Sequence, residues 1–532
     1  VLVGLSGVSV SGLAPGGARA ARLVTETAAG SVRGVEDRGV RVFRGLRYGA
    51  STASVNRFLP PKKPEPWAGV KDCLSWGASA PQGASFSQAS FYAWYNAIRP
   101  TSEDCLFLNV FTPGLGGHAR RPVLVWLHGG GWGSCAGTAP GFDGADLARA
   151  QDVVVVTVNH RLGVFGYLRL DHADPRFADA GNAGILDLAS ALSWVRENIA
   201  AFGGDPANVT IFGQSGGAAK VMALMGLPAA EGLFHKAIVQ SCSGGMRISG
   251  AEEADIQAHT LARFLSLAQS TGPDLQSVPM DVLIAAAGRV ENPFRPVIDG
   301  RSFRQDPFYP AAPSPASRVP LLIGNADTES SYFLRLAPES YSVDLRSVSL
   351  RLQRFLHTDS EYADALIEAY RSHNPAFNPY EILLAITTDQ MFKRGTLKAA
   401  TLQASAANVS VYAYNFARQT PVDAGRLHSP HTSEVPFIFG TTGVAAGICG
   451  TGGDLKRTTE LMQATWAAFA RHGDPNNPAL PTWAPFDPKT RQTMVLNMES
   501  KLVSDPGGDA RAALDRFAYY EYSTSPTTFF LG

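Results

Sequence analysis

Apolar and polar positions alternate with two different periods along this chain. Val123-Leu124-Val125-Trp126-Leu127 is a continuous apolar run closed by Gly129-Gly130-Gly131, and Val153 to Val158 is a second such run. Short apolar runs of this kind predict strands of a sheet buried on both faces. From Asn182 to Phe202 the period changes. Ile185, Leu188, Leu192, Val195, Ile199 and Phe202 recur at spacings of three and four, so they share one helix face, and Gly203-Gly204-Asp205-Pro206 stops that helix. Val209 to Phe212 predicts the next strand, Ala218 to Leu227 a helix, and Ala237–Val239 a further strand. This alternation predicts an α/β fold, a mostly parallel sheet with helices on both faces. Residues 250–290 and 335–405 read as helical, with Ala254–Leu267 and Asp359–Arg371 as examples. They predict long insertions forming a lid or wall over one end of the sheet, where α/β enzymes bind ligands.

Length and composition narrow the class. A chain of 532 residues would hold three or four domains of ordinary size. Between residues 23 and 532, however, there is no internal repeat and no low-complexity linker. With 45% hydrophobic and 17% charged residues, a largely disordered chain is excluded. The 46 basic and 46 acidic residues cancel, so the basic excess of a nucleic-acid binder is missing. No apolar run reaches the ~18 residues of a membrane-spanning helix. Val1 to Val10 is small and apolar and is followed by Pro15-Gly16-Gly17 and Ala18-Arg19-Ala20. That pattern resembles the tail of a secretory signal peptide cut after Ala20; the alternative is a disordered N-terminal extension, and residues 1–22 stand apart from the fold either way. The five cysteines form no CxxC and no metal-ligand spacing with histidine, so no metal site is expected, and an odd count leaves at least one thiol unpaired.

The candidate chemistry centres on Gly213-Gln214-Ser215-Gly216-Gly217, a G-x-S-x-G motif. In a chain with 53 glycines such a pentapeptide arises easily by chance. Its setting is specific, because it follows the strand 209–212 and precedes a helix, the strand–turn–helix context the motif requires. Glycines permit a sharp turn that pushes the Ser215 hydroxyl out above the sheet. His128-Gly129-Gly130-Gly131-Trp132 follows the strand 123–127. Beyond a plain glycine-rich turn, it offers backbone N–H groups that, with that of Gly216, can bind an oxyanion, one such donor lowering a barrier by about 3–4 kcal/mol. A hydroxyl is a weak nucleophile and needs a histidine base and an orienting acid. The chain order serine, acid, histidine confines the base to His235, His259, His357, His373, His428, His431 and His472.

Two long segments reach further than any single motif. Residues 202–217, from Phe202-Gly203-Gly204-Asp205-Pro206 to the serine pentapeptide, resemble the serine signature of the type-B carboxylesterase/cholinesterase family of α/β-hydrolases. Glu103-Asp104-Cys105-Leu106-Phe107-Leu108-Asn109-Val110 resembles its second signature. The likeness spans nearly the whole chain and is to the bacterial, para-nitrobenzyl-esterase-like branch. It implies one α/β-hydrolase domain over residues 23–532, overruling the count from length. The family's acid, in a G-x-x-x-x-E segment after a strand, maps to Glu329 behind Val319–Gly324, with Asp327 as its near competitor. The family's histidine precedes x-x-E and F-x-F-G; His431, ahead of Glu434 and Phe437-Ile438-Phe439-Gly440, fits, and His428 is three residues too early. The oxyanion donors map to Gly130, Gly131 and Gly216. Gln214, Trp132 and Phe294 would face the substrate.

The resemblance also implies a disulfide between Cys73 and Cys105. It would enclose a loop with Phe86, Phe91, Tyr92, Trp94 and Tyr95 that borders the substrate gorge, pinned by an Arg57–Glu103 ion pair. Such a bridge stabilises by about 3–4 kcal/mol and implies an oxidising compartment. With the leader-like start, the expected location is secreted or periplasmic. Pairings of Cys135, Cys242 and Cys449 stay open. The chain departs from the family at Gln214, usually glutamate; at Gly216, often alanine; and at Cys242, commonly glycine.

These readings converge on a serine carboxylesterase that acts on a small ester through an acyl-enzyme and requires no metal or organic cofactor. A hydrolase of another acyl bond (amide, lactone or polyester) would use the same residues. A non-catalytic adhesion relative would have lost the serine or histidine, and both are present here.

Overall fold

Strands from both ends of the chain join one sheet. In the computed structural model, residues 23–83, 90–96, 100–170, 174–244, 247–267, 271–291, 294–406 and 409–523 are described. The leader-like residues 1–22 and Phe86 lie outside them. The strands are β1 (Leu23–Thr27), β2 (Gly30–Asp37), β3 (Val40–Arg47), β4 (Val70–Asp72), β5 (Phe107–Thr112), β6 (Arg121–Leu127), β7 (Val154–Val158), β8 (Gly204–Gln214), β9 (Lys236–Gln240), β10 (Leu321–Ala326), β11 (Val411–Phe416), β12 (Gln492–Leu496) and β13 (Lys501–Ser504). They run in the order β1-β2-β3-β5-β7-β6-β8-β9-β10-β11-β12-β13, with β4 beside β2. From β7 to β12 every neighbouring pair is parallel. The strands outside that block, β4 excepted, pair antiparallel.

Burial explains the two kinds of strand. β7, β10 and β11 are buried at every residue, as strands covered on both faces must be, whereas β1 alternates exposed and half-buried residues. Successive residues of β6 point to opposite sides. Val123, Val125 and Leu127 join one core cluster, while Leu124 and Trp126 join another. Helix α1 (Ala183–Asn198) covers the first face with Leu188, Leu192 and Val195. Helix α2 (Gly216–Gly226) packs against β8 and β9. Helix α3 (Leu455–His472) covers the second face with Met462, Trp466 and Phe469. The stretch predicted as one helix to Phe202 ends its α-helical part at Asn198 and finishes as a 3₁₀ turn, Ile199–Phe202. The helical insertion after β10 has its own core, including Val348, Leu352, Phe355, Leu366, Ile386 and Phe392.

The expected bridge between Cys73 and Cys105 is absent, and both are buried free thiols. Strand pairing explains this. Cys73 accepts from the Arg44 N–H and donates to the Arg33 carbonyl, so it sits on the β2 edge of β3. Cys105 leads into β5, on the opposite edge, where Tyr48 N–H meets the Leu106 carbonyl. Neighbouring strands are about 4.8 Å apart, so residues flanking both edges of one strand exceed the ~7 Å Cα separation a disulfide tolerates. Ser79, not Cys73, pairs with the segment that enters Cys105, through Pro100 and Ser102. The ion pair expected beside it is present. Arg57 grips Glu103 at 2.7 and 2.5 Å and also donates to the carbonyls of Leu275, Gln276 and Val278.

Candidate active site

Ser215 stands at the joint between β8 and α2 with φ 58° and ψ −124°. A non-glycine residue held there stores about 1–3 kcal/mol of strain, which the surroundings must over-determine. They do so from two sides. The Ser215 N–H donates to the Gln240 carbonyl of β9 at 2.9 Å. On the other side, the end of β6 presses so close that a Cβ on Gly217 would lie 2.0 Å from the Leu127 oxygen. The side chain is 7% exposed, at the C-terminal end of the parallel strands.

Glu329 and His431 meet above the same strand ends. Glu329, three residues past β10, is fully buried; one carboxylate oxygen accepts from the Ala326 N–H at 2.7 Å and the other from His431 Nδ1 at 2.5 Å. An ionised carboxylate only accepts, so the ring proton sits on Nδ1 and Nε2 is left as a base. Both competitors are engaged elsewhere. Asp327 is bound by Asn415 at 2.7 Å and Lys393 at 3.4 Å; burial opposes its ionisation, but these partners hold its carboxyl below the usual range. His428 bonds the Gln419 side chain at 3.0 Å, away from Glu329.

Gln214 is fully buried with its amide nitrogen 3.2 Å from His431 Nε2 and 3.3 Å from Nδ1, along the lone-pair axis of neither. A second carboxyl group lies near Glu329, one that the sequence pattern used only to mark His431. Glu434, three residues after His431, accepts from Gln240 Nε2 at 3.2 Å, and the Gln240 oxygen accepts from Trp466 Nε1. Burial, and then the charge of Glu329, push the Glu434 carboxyl up to about 8, which favours its neutral acid form. The histidine ring is walled by Phe392 at 4.9 Å, Phe333 at 5.4 Å and Tyr332 at 5.6 Å. Phe392 is presented by a π-helical turn, Asp389–Lys393, and such turns recur at functional sites.

Of the aromatic loop, Phe91 and Tyr92 pack against Tyr332 and so approach this wall. Trp94 packs against Phe142 in the core, whereas Tyr95, which also touches Phe142, reaches the glycine loop with its hydroxyl, where a Cβ on Gly129 would lie 1.8 Å from it. Trp132 is buried edge-to-face on Tyr167, with the Lys220 ammonium 5.9 Å from its ring. Phe294 is buried in the cluster that also holds Trp132 and Ala219.

Gly130 and Gly131 adopt φ 76° and 59°, a left-handed backbone that glycine takes without strain. Their loop rests directly on Gly216. A Cβ there would lie 2.2 Å from the Gly131 oxygen and 2.5 Å from its nitrogen. Gly216→Ala, although alanine is common at the family's position, should therefore push the loop off and cost about 10²–10³ in kcat, as losing an oxyanion donor does. Steady-state kinetics on an aryl ester check this; a variant within threefold of the parent contradicts it.

Among the described residues no cluster of His, Cys, Asp and Glu is arranged to hold a metal, and no helix is long and apolar enough to cross a membrane. Residues 21–513 match the model of the Carboxylesterase family. The chain is 32% identical over 502 residues to the para-nitrobenzyl esterase of Bacillus subtilis, covering 92% of this chain and 98% of that one. A carboxylesterase of Geobacillus stearothermophilus, solved at pH 6.2, superposes with a TM-score of 0.81 at 36% identity over 92% of this chain and 100% of its own. An esterase of Clostridium hathewayi described as hydrolysing aliphatic aromatic polyesters gives a TM-score of 0.80 at 30% identity, over 93% of this chain and 98% of its own.

Proposed function

The chain belongs to the carboxylesterase family and is a carboxylic ester hydrolase, and from that premise we propose a division of labour among its residues. Ser215 attacks the ester carbonyl. His431 Nε2 takes its proton and gives it to the leaving alcohol. Glu329 holds the ring and stabilises the imidazolium. The N–H groups of Gly130, Gly131 and Gly216 bind the oxyanion, and water, activated by the same histidine, then releases the acid. The observation that carries this reading is the buried 2.5 Å contact between Glu329 and His431 beside a serine held at φ 58°. Phe294 and Trp132 are proposed as walls behind the acyl group. Because β1 and β13 join one sheet, residues 23–532 are read as one domain. Export is proposed from the leader-like residues 1–22 alone.

Gln214 supports a neutral substrate. A glutamate beside the histidine would attract a quaternary ammonium and stabilise the imidazolium, and glutamine keeps the shape without the charge. One cation–π face that could replace it, that of Trp132, is approached by Lys220. Neutral esters should therefore be cleaved with higher kcat/KM than choline esters of the same acyl group. Gln214→Glu should narrow that gap and raise the pKa of the acidic limb of the pH–rate profile. Measuring both substrates across pH, in parent and variant, checks this. A parent preference for the choline ester, or an unmoved limb, overturns it. Amides and a polyester film in the same panel decide whether other acyl bonds are taken.

A further inference from the structure

Lys220 is the one charged residue of α2, in the otherwise small and apolar sequence GGAAKVMALMG. It is fully buried, and the mechanism above does not use it. Its ammonium nitrogen donates to the His128 carbonyl at 2.8 Å, the Gly131 carbonyl at 3.0 Å and the Gly129 carbonyl at 3.4 Å. Residues four apart lie on one helix face, so Lys220 stands one turn behind Gly216, directly under the loop that Gly216 supports.

This inference rests on the oxyanion-hole reading and extends it: we propose that Lys220 is a positioning residue of the oxyanion hole, gathering the carbonyl oxygens of loop 128–131 so that the loop's N–H groups turn towards Ser215.

The planarity of the trans peptide supplies the mechanism, because each C=O points opposite to the N–H of the next residue. The Gly129 carbonyl is held by His128 Nδ1 at 3.0 Å and by Lys220 at 3.4 Å, and holding it there turns the Gly130 N–H away from Lys220. Drawing the His128 and Gly131 carbonyls the same way fixes the two flanking peptides. The remaining plane is fixed separately, since the Gly130 carbonyl accepts from the Ser134 N–H at 3.1 Å and Ser134 Oγ at 3.0 Å, which turns the Gly131 N–H the other way. Three carbonyl dipoles converging on one buried point would repel one another, and a cation is what makes that convergence favourable. The cost of a buried cation is high, so an apolar residue would serve better if this position only packed. Its neighbours add no competing charge. Burial first, and then Lys220 itself, keep His128 and His160 well below their ordinary pKa and hence neutral. Burial lowers Lys220 to about 7, and even the amine keeps two N–H donors for the carbonyls.

The test compares Lys220→Met, which keeps the stem and removes every donor, with Lys220→Gln, which keeps two donors without the charge. With an aryl ester, Lys220→Met should lose about 10- to 100-fold in kcat, less than deletion of a donor itself, with KM within about twofold. Affinity for a trifluoromethyl ketone, which forms a hemiketal oxyanion on the serine, should fall by the same factor as kcat. Lys220→Gln should fall between the parent and Lys220→Met, and it carries the test if Lys220→Met does not fold. The proposal is overturned if the folded variants keep the parent's kcat, if the loss appears in KM alone, or if the ketone binds as tightly as to the parent. Ser215→Ala, assayed alongside, separates the two readings. An active Ser215→Ala protein removes the oxyanion-hole assignment, whereas an inactive one with undiminished Lys220 variants removes only the role of Lys220.

Discussion

Ser215→Ala should fold as the parent does and lose about 10⁶-fold in kcat, the usual cost of deleting a triad nucleophile. The substitution removes a single oxygen from a residue that is 7% exposed, a small change in packing. Alanine at φ 58° carries the same backbone strain as serine, and the bond from its N–H to Gln240 survives. Melting temperature should therefore move little while ester hydrolysis vanishes. A variant within tenfold of the parent contradicts the assignment of the nucleophile.

His431→Ala should be as damaging as the serine change, and His428→Ala should be mild. The two histidines differ in what they touch. His431 is buried between Glu329 and three aromatic rings, whereas His428 bonds a glutamine side chain nearer the surface. Triad members act as a unit, so Ser215→Ala/His431→Ala should be no worse than either single variant. Removing the imidazole also leaves the Glu329 carboxylate buried without its partner, so His431→Ala, unlike Ser215→Ala, should melt lower. Kinetics and thermal melts of the four proteins check this. Full activity in His431→Ala would move the base elsewhere.

What the sequence made legible follows from the range of the interactions involved. The central strands announced themselves because a strand buried on both faces must be almost wholly apolar, as β7 is but for Thr157, whose hydroxyl accepts from Asn109. Ser215 was legible because its strained turn needs glycines at fixed offsets. Glu329 and His431 were not readable from residues alone, since seven histidines met the order rule and only a family resemblance selected one. The false reading, Cys73 with Cys105, came from matching cysteines along the chain, and strand pairing puts them on opposite edges of β3. Phe392 was invisible because its approach to His431 depends on a π-helical turn inside a longer helix. Lys220 and Glu434 left a fainter signal. Lys220 is an ionisable residue within an apolar stretch and Glu434 one at the head of another, positions that cost free energy unless partners or a protonation change offset it. The partners, three carbonyls and Gln240, come from segments far apart in the chain.

The most direct test of the account is to find which serine becomes acylated. A fluorophosphonate, which transfers to an activated serine and stays there, should modify the parent once per chain. Peptide mapping by mass spectrometry should place the adduct on Ser215 in the peptide spanning 213–220, with ester hydrolysis lost in proportion to labelling. An adduct on another serine, or full turnover by protein labelled completely at Ser215, would contradict the account.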